Sequence, residues 1–165
     1  MIPLSYSWNQ GDRAMLRDEL NQSMKAAMRA KEARKLSTIR LILAAIKEKD
    51  IELRTSDAAD RDDDAVITDI LSKMVKQRND SIKAYEEAGR CELAERERDE
   101  IVTIQEFLPT QMTDAEVEAA CKAVVAEIGA EGLKDIGRCM AVLKERHAGE
   151  MDFAKASGII KKLLS

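Results

Sequence analysis

The chain has 165 residues, 45% of them hydrophobic and 35% charged, which allows a sizeable core and argues against disorder. Only 3% are aromatic, so a platform for stacking single-stranded bases is not expected. The net charge is −4 but unevenly spread: residues 13–49 hold ten Lys or Arg against four Asp or Glu, while residues 57–69 hold six Asp against one Arg. A basic segment on an acidic protein is compatible with phosphate contact.

The strong helix formers Ala, Leu, Glu, Lys and Arg dominate, and no period-two run bounded by turn residues occurs, so an all-α fold is expected. Residues 1–11 contain Pro3 and Gly11, show no helical period and read as a tail; Met15 offers a second start. Asp12 is placed to cap a first helix reaching about Ala30, with a stripe of Leu16, Leu20, Ser23 or Met24, Ala27 and Met28. After a short connection over 31–35, a second helix carries Leu36, Ile39, Leu43 and Ile46. Leu41, Ile42 and Ala45 widen its apolar face, so this helix is expected to be the most buried.

Residues 55–64 form an acidic loop whose Asp62, Asp63 and Asp64 suit a helix N-terminus. A helical hairpin follows. Its first arm carries Ile67, Ile70, Leu71, Met74, Ile82 and Tyr85 and stops at Gly89; its second carries Leu93, Ile101, Ile104 and Leu108 and stops at Pro109. Gln77 and Arg78 interrupt the first stripe and Glu97 the second. In an antiparallel hairpin, Arg78 comes close to Glu97 or Glu100, so Gln77, Arg78, Glu97 and Glu100 are read as a polar layer. That layer is either a structural ion pair or a groove for a phosphate or an RNA end.

Beyond Pro109, Thr113 and Glu116 spell a capping box. Three short helices follow: one with Val117, Cys121, Val124, Val125 and Ile128 ending at Gly129; one capped by Asp135 with Ile136, Cys139, Met140 and Leu143; one capped by Asp152 with Phe153, Ile159, Ile160, Leu163 and Leu164. The expected architecture is therefore a tail (1–11), an N-terminal part of four helices ending in the long hairpin (12–109), and a C-terminal three-helix bundle (113–165).

No catalytic constellation, metal site or cofactor motif is recognised. His147, the lone histidine, ends a helix, where a cation meets the last carbonyls. Cys91 at a helix start could form a stabilised thiolate, but no base accompanies it in sequence. Cys91, Cys121 and Cys139 are odd in number and lack metal-ligand spacing. With no secretory leader or membrane-spanning run, they read as reduced thiols of a cytoplasmic protein.

Three sequence blocks, taken together, resemble the GatB/YqeY family and its small stand-alone YqeY-like members. The first is Leu36-x-x-Ile39-Arg40-Leu41-Ile42-Leu43-Ala44-Ala45-Ile46-Lys47. The second comprises Lys76-Gln77-Arg78-x-x-Ser81-Ile82, Ala88-Gly89-Arg90, Leu93-Ala94-x-x-Glu97-x-x-Glu100-Ile101 and Phe107-Leu108-Pro109. The third is Gly137-Arg138-Cys139-Met140-x-x-Leu143-Lys144 with Gly149-x-x-Asp152 and Lys161-x-x-Leu164. The pair Arg138-Cys139 departs from the family pattern, which has Lys and a β-branched residue there.

The resemblance implies a two-part helical fold and kinship with the tail region of the GatB component of the aspartyl/glutamyl-tRNA amidotransferase, a tail that helps hold tRNA. With the uneven charge, this leaves three functions to weigh. The first is a non-catalytic tRNA-binding accessory, contacting RNA through Arg29, Lys31, Arg34, Arg40 and Lys47 and, in the tail-like part, Lys144 and Lys161. The second is a component of a carbon–nitrogen ligase using glutamine nitrogen through an amidotransferase partner. The third, read from the Met-containing helical faces rather than from the resemblance, is a protein-interaction module that docks a partner helix.

Overall fold

A computed structural model describes residues 15–56 and 62–165. Among the described residues there are seven α-helices: α1 (Met15–Arg29), α2 (Ala33–Thr55), α3 (Asp63–Glu87), α4 (Cys91–Gln105), α5 (Asp114–Ile128), α6 (Ile136–Arg146) and α7 (Phe153–Leu164), with a 3-10 turn (Leu133–Asp135) before α6. No strand occurs among the described residues, and the fold is all-α as expected. The tail over 1–11 and the Asp12 cap lie outside the described residues. Two compact units divide the chain, one ending at Ile70 and the other running from Leu71 to Ser165.

In the first unit, α1 packs on α2. Leu20 and Ala27 of α1, Ile39, Ile42 and Ile46 of α2, and Ile67 at the start of α3 are buried. Thr38 is buried too, its hydroxyl donating to the Arg34 carbonyl one turn back (3.1 Å). A guanidinium clamp ties the three helices. The two Nη atoms of Arg17 donate to the two carboxylate oxygens of Asp50 at 2.9 and 3.0 Å, and Nε and Nη2 donate to Asp63 at 3.1 and 2.8 Å. Such two-pronged pairing fixes orientation as well as charge. It holds the Asp50 carboxyl below its ordinary range. Asp64 accepts from the backbone N–H of Leu16 (3.3 Å).

In the second unit, α3 and α4 form the hairpin. The α3 terminus folds over with Gly89 at φ 72°, its N–H reaching Glu86 and that of Arg90 reaching Tyr85. Leu71, Met74, Ala94, Ile104 and Phe107 are buried. Helices α5, α6 and α7 pack on one another around Val117, Cys121, Val124, Cys139, Leu143, Met151, Ala156 and Ile160. The capping box is present: Thr113 Oγ1 accepts from Glu116 N and the Glu116 carboxylate accepts from Thr113 N, both at 3.2 Å. Gly129 ends α5 at φ 67°, and Asp152 accepts from Ala154 N at 2.9 Å to start α7.

Two local expectations change. Asp135 does not cap α6. It closes the 3-10 turn with helical dihedrals, and its carboxylate accepts from the backbone N–H of Glu131 at 3.1 Å. That hydrogen bond is the main reason its pKa lies below the usual value. Leu41, read as part of the buried face of α2, is 47% exposed. The buried residues Thr38, Ile39, Ile42 and Ile46 occupy one side of the helix and leave Leu41 beyond its edge.

Candidate nucleic-acid interface

The basic residues singled out by sequence fall at three places. Arg29, Lys31 and Arg34 surround the α1–α2 turn and are exposed. The turn has the same hydrogen-bond pattern as those after Gly89 and Gly129: Lys31 N donates to Met28 (3.3 Å) and Glu32 N to Ala27 (3.0 Å). Here the left-handed position is held by Lys31 at φ 58° rather than by glycine. A side chain in that conformation costs roughly 1–2 kcal/mol. Backbone strain at an exposed cation is a reason to look for a use of the side chain. Arg40 and Lys47 lie seven residues apart on the exposed side of α2, and Lys144 and Lys161 are exposed on α6 and α7.

Lys144 and Lys161 sit at equivalent points of a correspondence that the sequence reading missed. Gly137–Lys144 and Ala154–Lys161 share one layout of eight residues. Gly137 and Ala154 are small and exposed. Arg138 and Lys155 are basic and exposed, and Cys139 and Ala156 are buried. Met140 and Ser157 are half-buried, Ala141 and Gly158 small and exposed, and Val142 and Ile159 half-buried. Leu143 and Ile160 are buried, and each segment ends on its exposed lysine. The signal lay in comparing the two segments rather than in either alone.

Each helix therefore turns toward solvent a pair of small residues with cations beside them. A Cβ built on Gly137 or Gly158 meets nothing within 4 Å among the described residues, so packing among those residues does not require either glycine. Helix α7 has no acidic residue and carries Lys155, Lys161 and Lys162; Lys155 pairs with Asp114 at 3.0 Å. On α6, Arg138 reaches Asp135 at 3.5 Å and Arg146 forks onto Glu127 at 2.6 and 2.7 Å. A bare, lysine-flanked helix surface lets a phosphate–sugar backbone approach closely while its charge is neutralised.

In the hairpin, Arg78 Nε donates to Glu100 Oε2 at 2.8 Å and Nη1 donates to the Met74 carbonyl at 3.3 Å. Glu97 is half-buried beside them, and burial followed by the Glu100 charge raises its pKa against the pull of Arg78. Gln77 is exposed, its carbonyl accepting from Ser81. A second bridge across the hairpin joins Arg98 to Glu86.

Nothing arranged for nucleophilic chemistry emerges elsewhere among the described residues. Cys121 and Cys139 are buried in the α5–α7 core and burial pushes their thiols up, which disfavours the reactive thiolate. Cys91 is exposed at the first position of α4. His147 Nδ1 lies 2.9 Å from Glu150 Oε2, a contact between neighbours at the end of α6. Among the described residues no cluster of His, Cys, Asp and Glu could hold a metal ion, and no helix is long and apolar enough to cross a membrane.

Comparison with known proteins places this architecture. The chain is 33% identical over 111 residues to "Altered inheritance of mitochondria protein 41, mitochondrial" of Lachancea thermotolerans, covering 66% of this chain and 57% of that protein. It is 32% identical over 123 residues to the protein of the same name in Vanderwaltozyma polyspora, covering 71% and 64%. With that of Candida glabrata it shares 40% over 89 residues, covering 54% and 47%. The chain thus matches about half to two thirds of the length of these relatives. Their names correct the expectation of a cytoplasmic protein, because all three are named as mitochondrial. Reduced thiols could not have settled the matter, since they do not separate one reducing compartment from another. The model of the family described as Yqey-like protein matches residues 17–164, nearly the whole described chain. The chain belongs to the YqeY-like protein family.

Proposed function

We propose that the protein is a non-catalytic RNA-binding accessory and that α6 and α7 present its RNA surface, with tRNA as the ligand. The observation that carries this reading is the open space at Gly137 and Gly158, beside Lys144 and Lys161. Glycine in a helix costs up to about 1 kcal/mol relative to alanine, and no contact among the described residues accounts for it. Close approach of a ligand backbone does. The cations of the α1–α2 turn (Arg29, Lys31 and Arg34) are a further contact region in this reading. The resemblance to an amidotransferase tail supports tRNA over other RNAs. The amido-transfer alternative places its chemistry on a partner, and no observation among the described residues favours it.

The test is binding of total tRNA to the full chain across a salt series. Counterion release from phosphate contacts gives a negative slope of log affinity against log salt, losing about 0.7–0.9 for each contact removed. The double variant Lys144→Glu/Lys161→Glu should keep its circular dichroism, weaken binding to all tRNA species alike and flatten the slope. Absence of wild-type binding at low salt overturns the function. Binding that survives the double charge reversal overturns the assigned surface.

A further inference from the structure

Helix α2 buries Thr38, Ile39, Ile42 and Ile46 and turns a second, differently patterned face to solvent. That face carries Ser37, Leu41, Ala44, Glu48 and Ile51, all exposed, at alternating spacings of four and three. This is the spacing of a helix-pairing seam. Leu41 is 47% and Ile51 56% exposed. Along one flank run Arg40, Lys47 and Arg54, exposed and each seven residues from the next, or about 10.5 Å along the axis. All three therefore hold the same place beside the seam, and no ion pair with a described residue engages Arg40 or Lys47.

We propose that this face docks an acidic amphipathic helix of a partner protein. Side chains flanking a seam choose the partner by charge, and a flank that is basic at every repeat selects a row of Asp or Glu opposite. Apolar residues on the incoming helix would cover Leu41, Ala44 and Ile51. Glu48, inside the seam, favours a Lys or a neutral polar residue opposite it and so sets the register. Nucleic acid suits the face less well: phosphates would meet the Arg and Lys row but leave Leu41 and Ile51 uncovered and confront Glu48. This surface shares no residue with the α6 and α7 faces assigned to RNA, and either assignment can fail alone.

The experiment uses the full chain and three synthetic peptides of about three heptads: one with Leu in the seam and Glu on the flanks, one with Lys replacing Glu, and a scramble of the first. Binding is followed by fluorescence anisotropy, with peptide helicity by circular dichroism. The Glu peptide should bind and gain helicity, and the other two should not. Arg40→Glu/Lys47→Glu should weaken the Glu peptide about tenfold or more and create binding to the Lys peptide. Leu41→Ser/Ile51→Ser should abolish binding with the fold intact. The proposal is overturned if the Glu peptide does not bind, or if the scramble binds equally. Displacement of the peptide by tRNA would make the face an RNA surface. Self-association of the chain that Arg40→Glu/Lys47→Glu abolishes would make the occupant a second copy. Either result also overturns the proposal.

Discussion

Arg78 and Glu100 are joined across the α3–α4 hairpin, the guanidinium Nε donating to the carboxylate at 2.8 Å with the arginine side chain only 13% exposed. The same guanidinium donates to the Met74 carbonyl. It therefore ties one arm to the other and fixes their register. Removing one member of a largely buried pair strands the other charge. Arg78→Ala should cost about 1–3 kcal/mol, the lower part of that range reflecting the one-third exposure of Glu100. Arg90→Ala, at an exposed position, should cost far less. Equal effects in thermal melts would show that the bridge does not hold the hairpin.

Glu97 supplies a pH dependence of known sign. Its folded-state pKa lies above the ordinary 4.5 because of burial first and Glu100 second. A carboxyl raised on folding favours the fold when protonated. Its contribution is full below the unfolded value near 4.5 and is lost as pH rises through the raised value. Glu97→Gln should therefore be more stable than wild type at neutral pH, with the advantage shrinking as the pH is lowered. Parallel melting-temperature profiles for the two proteins would refute this.

The Arg17 clamp predicts the opposite slope. Asp50 is held below its ordinary value chiefly by the Arg17 hydrogen bonds, so its contribution is present above the unfolded pKa and lost as pH falls through the folded one. Arg17→Met should cost about 1–2 kcal/mol at neutral pH, discounted for side chains that are about one-third exposed. The loss should diminish in acid. Arg17→Lys should rescue only part, because an ammonium has three donors on one atom and cannot make the two-pronged bonds to each carboxylate that the guanidinium makes. Full rescue by lysine would mean that charge alone matters.

Gly158→Ala should stabilise the fold by about 1 kcal/mol, and Gly137→Ala, in the first turn of α6, by roughly half that. Neither alanine would meet a neighbouring atom within 4 Å. If α6 and α7 bind RNA, both variants should bind it more weakly despite being more stable. A gain in stability with RNA affinity unchanged would separate these glycines from the binding surface.

We propose further that residues 113–165 fold without the rest of the chain. Their core is contributed by α5, α6, α7 and the loop residue Met151. The incoming strand of chain is fastened from Gln111 onward: Gln111 Nε2 donates to the Gly149 carbonyl at 2.7 Å and Met112 N to Glu150 at 2.9 Å. Pro109 and Thr110 just before it are exposed. Limited proteolysis should cut there first and release a cooperatively melting C-terminal fragment. First cleavage within residues 66–88 would contradict that division.

Sequence alone determined the helices and several of their ends, because these are decided within a few residues of chain. The spacing of Val117, Cys121 and Val124 defines one face of α5. Thr113 and Glu116 are three residues apart and cap each other. Gly89 and Gly129 supply a left-handed residue where a helix must stop. Tertiary structure decided what depends on distant partners. Arg17 meets Asp50 and Asp63 across 33 and 46 residues, separations that no local pattern encodes. Sequence left Arg78 two carboxylates one turn apart, Glu97 and Glu100, and only the packing of the two arms selects Glu100. Asp135 looks like a cap in sequence, but it closes a 3-10 turn in which its carboxylate accepts from the Glu131 amide instead. On α2 the apolar residues are spread too widely for periodicity to say which of them face inward. Packing buries Ile39, Ile42 and Ile46 and leaves Leu41 and Ile51 at the surface, because a helix that rests on one side can hide only about half its circumference.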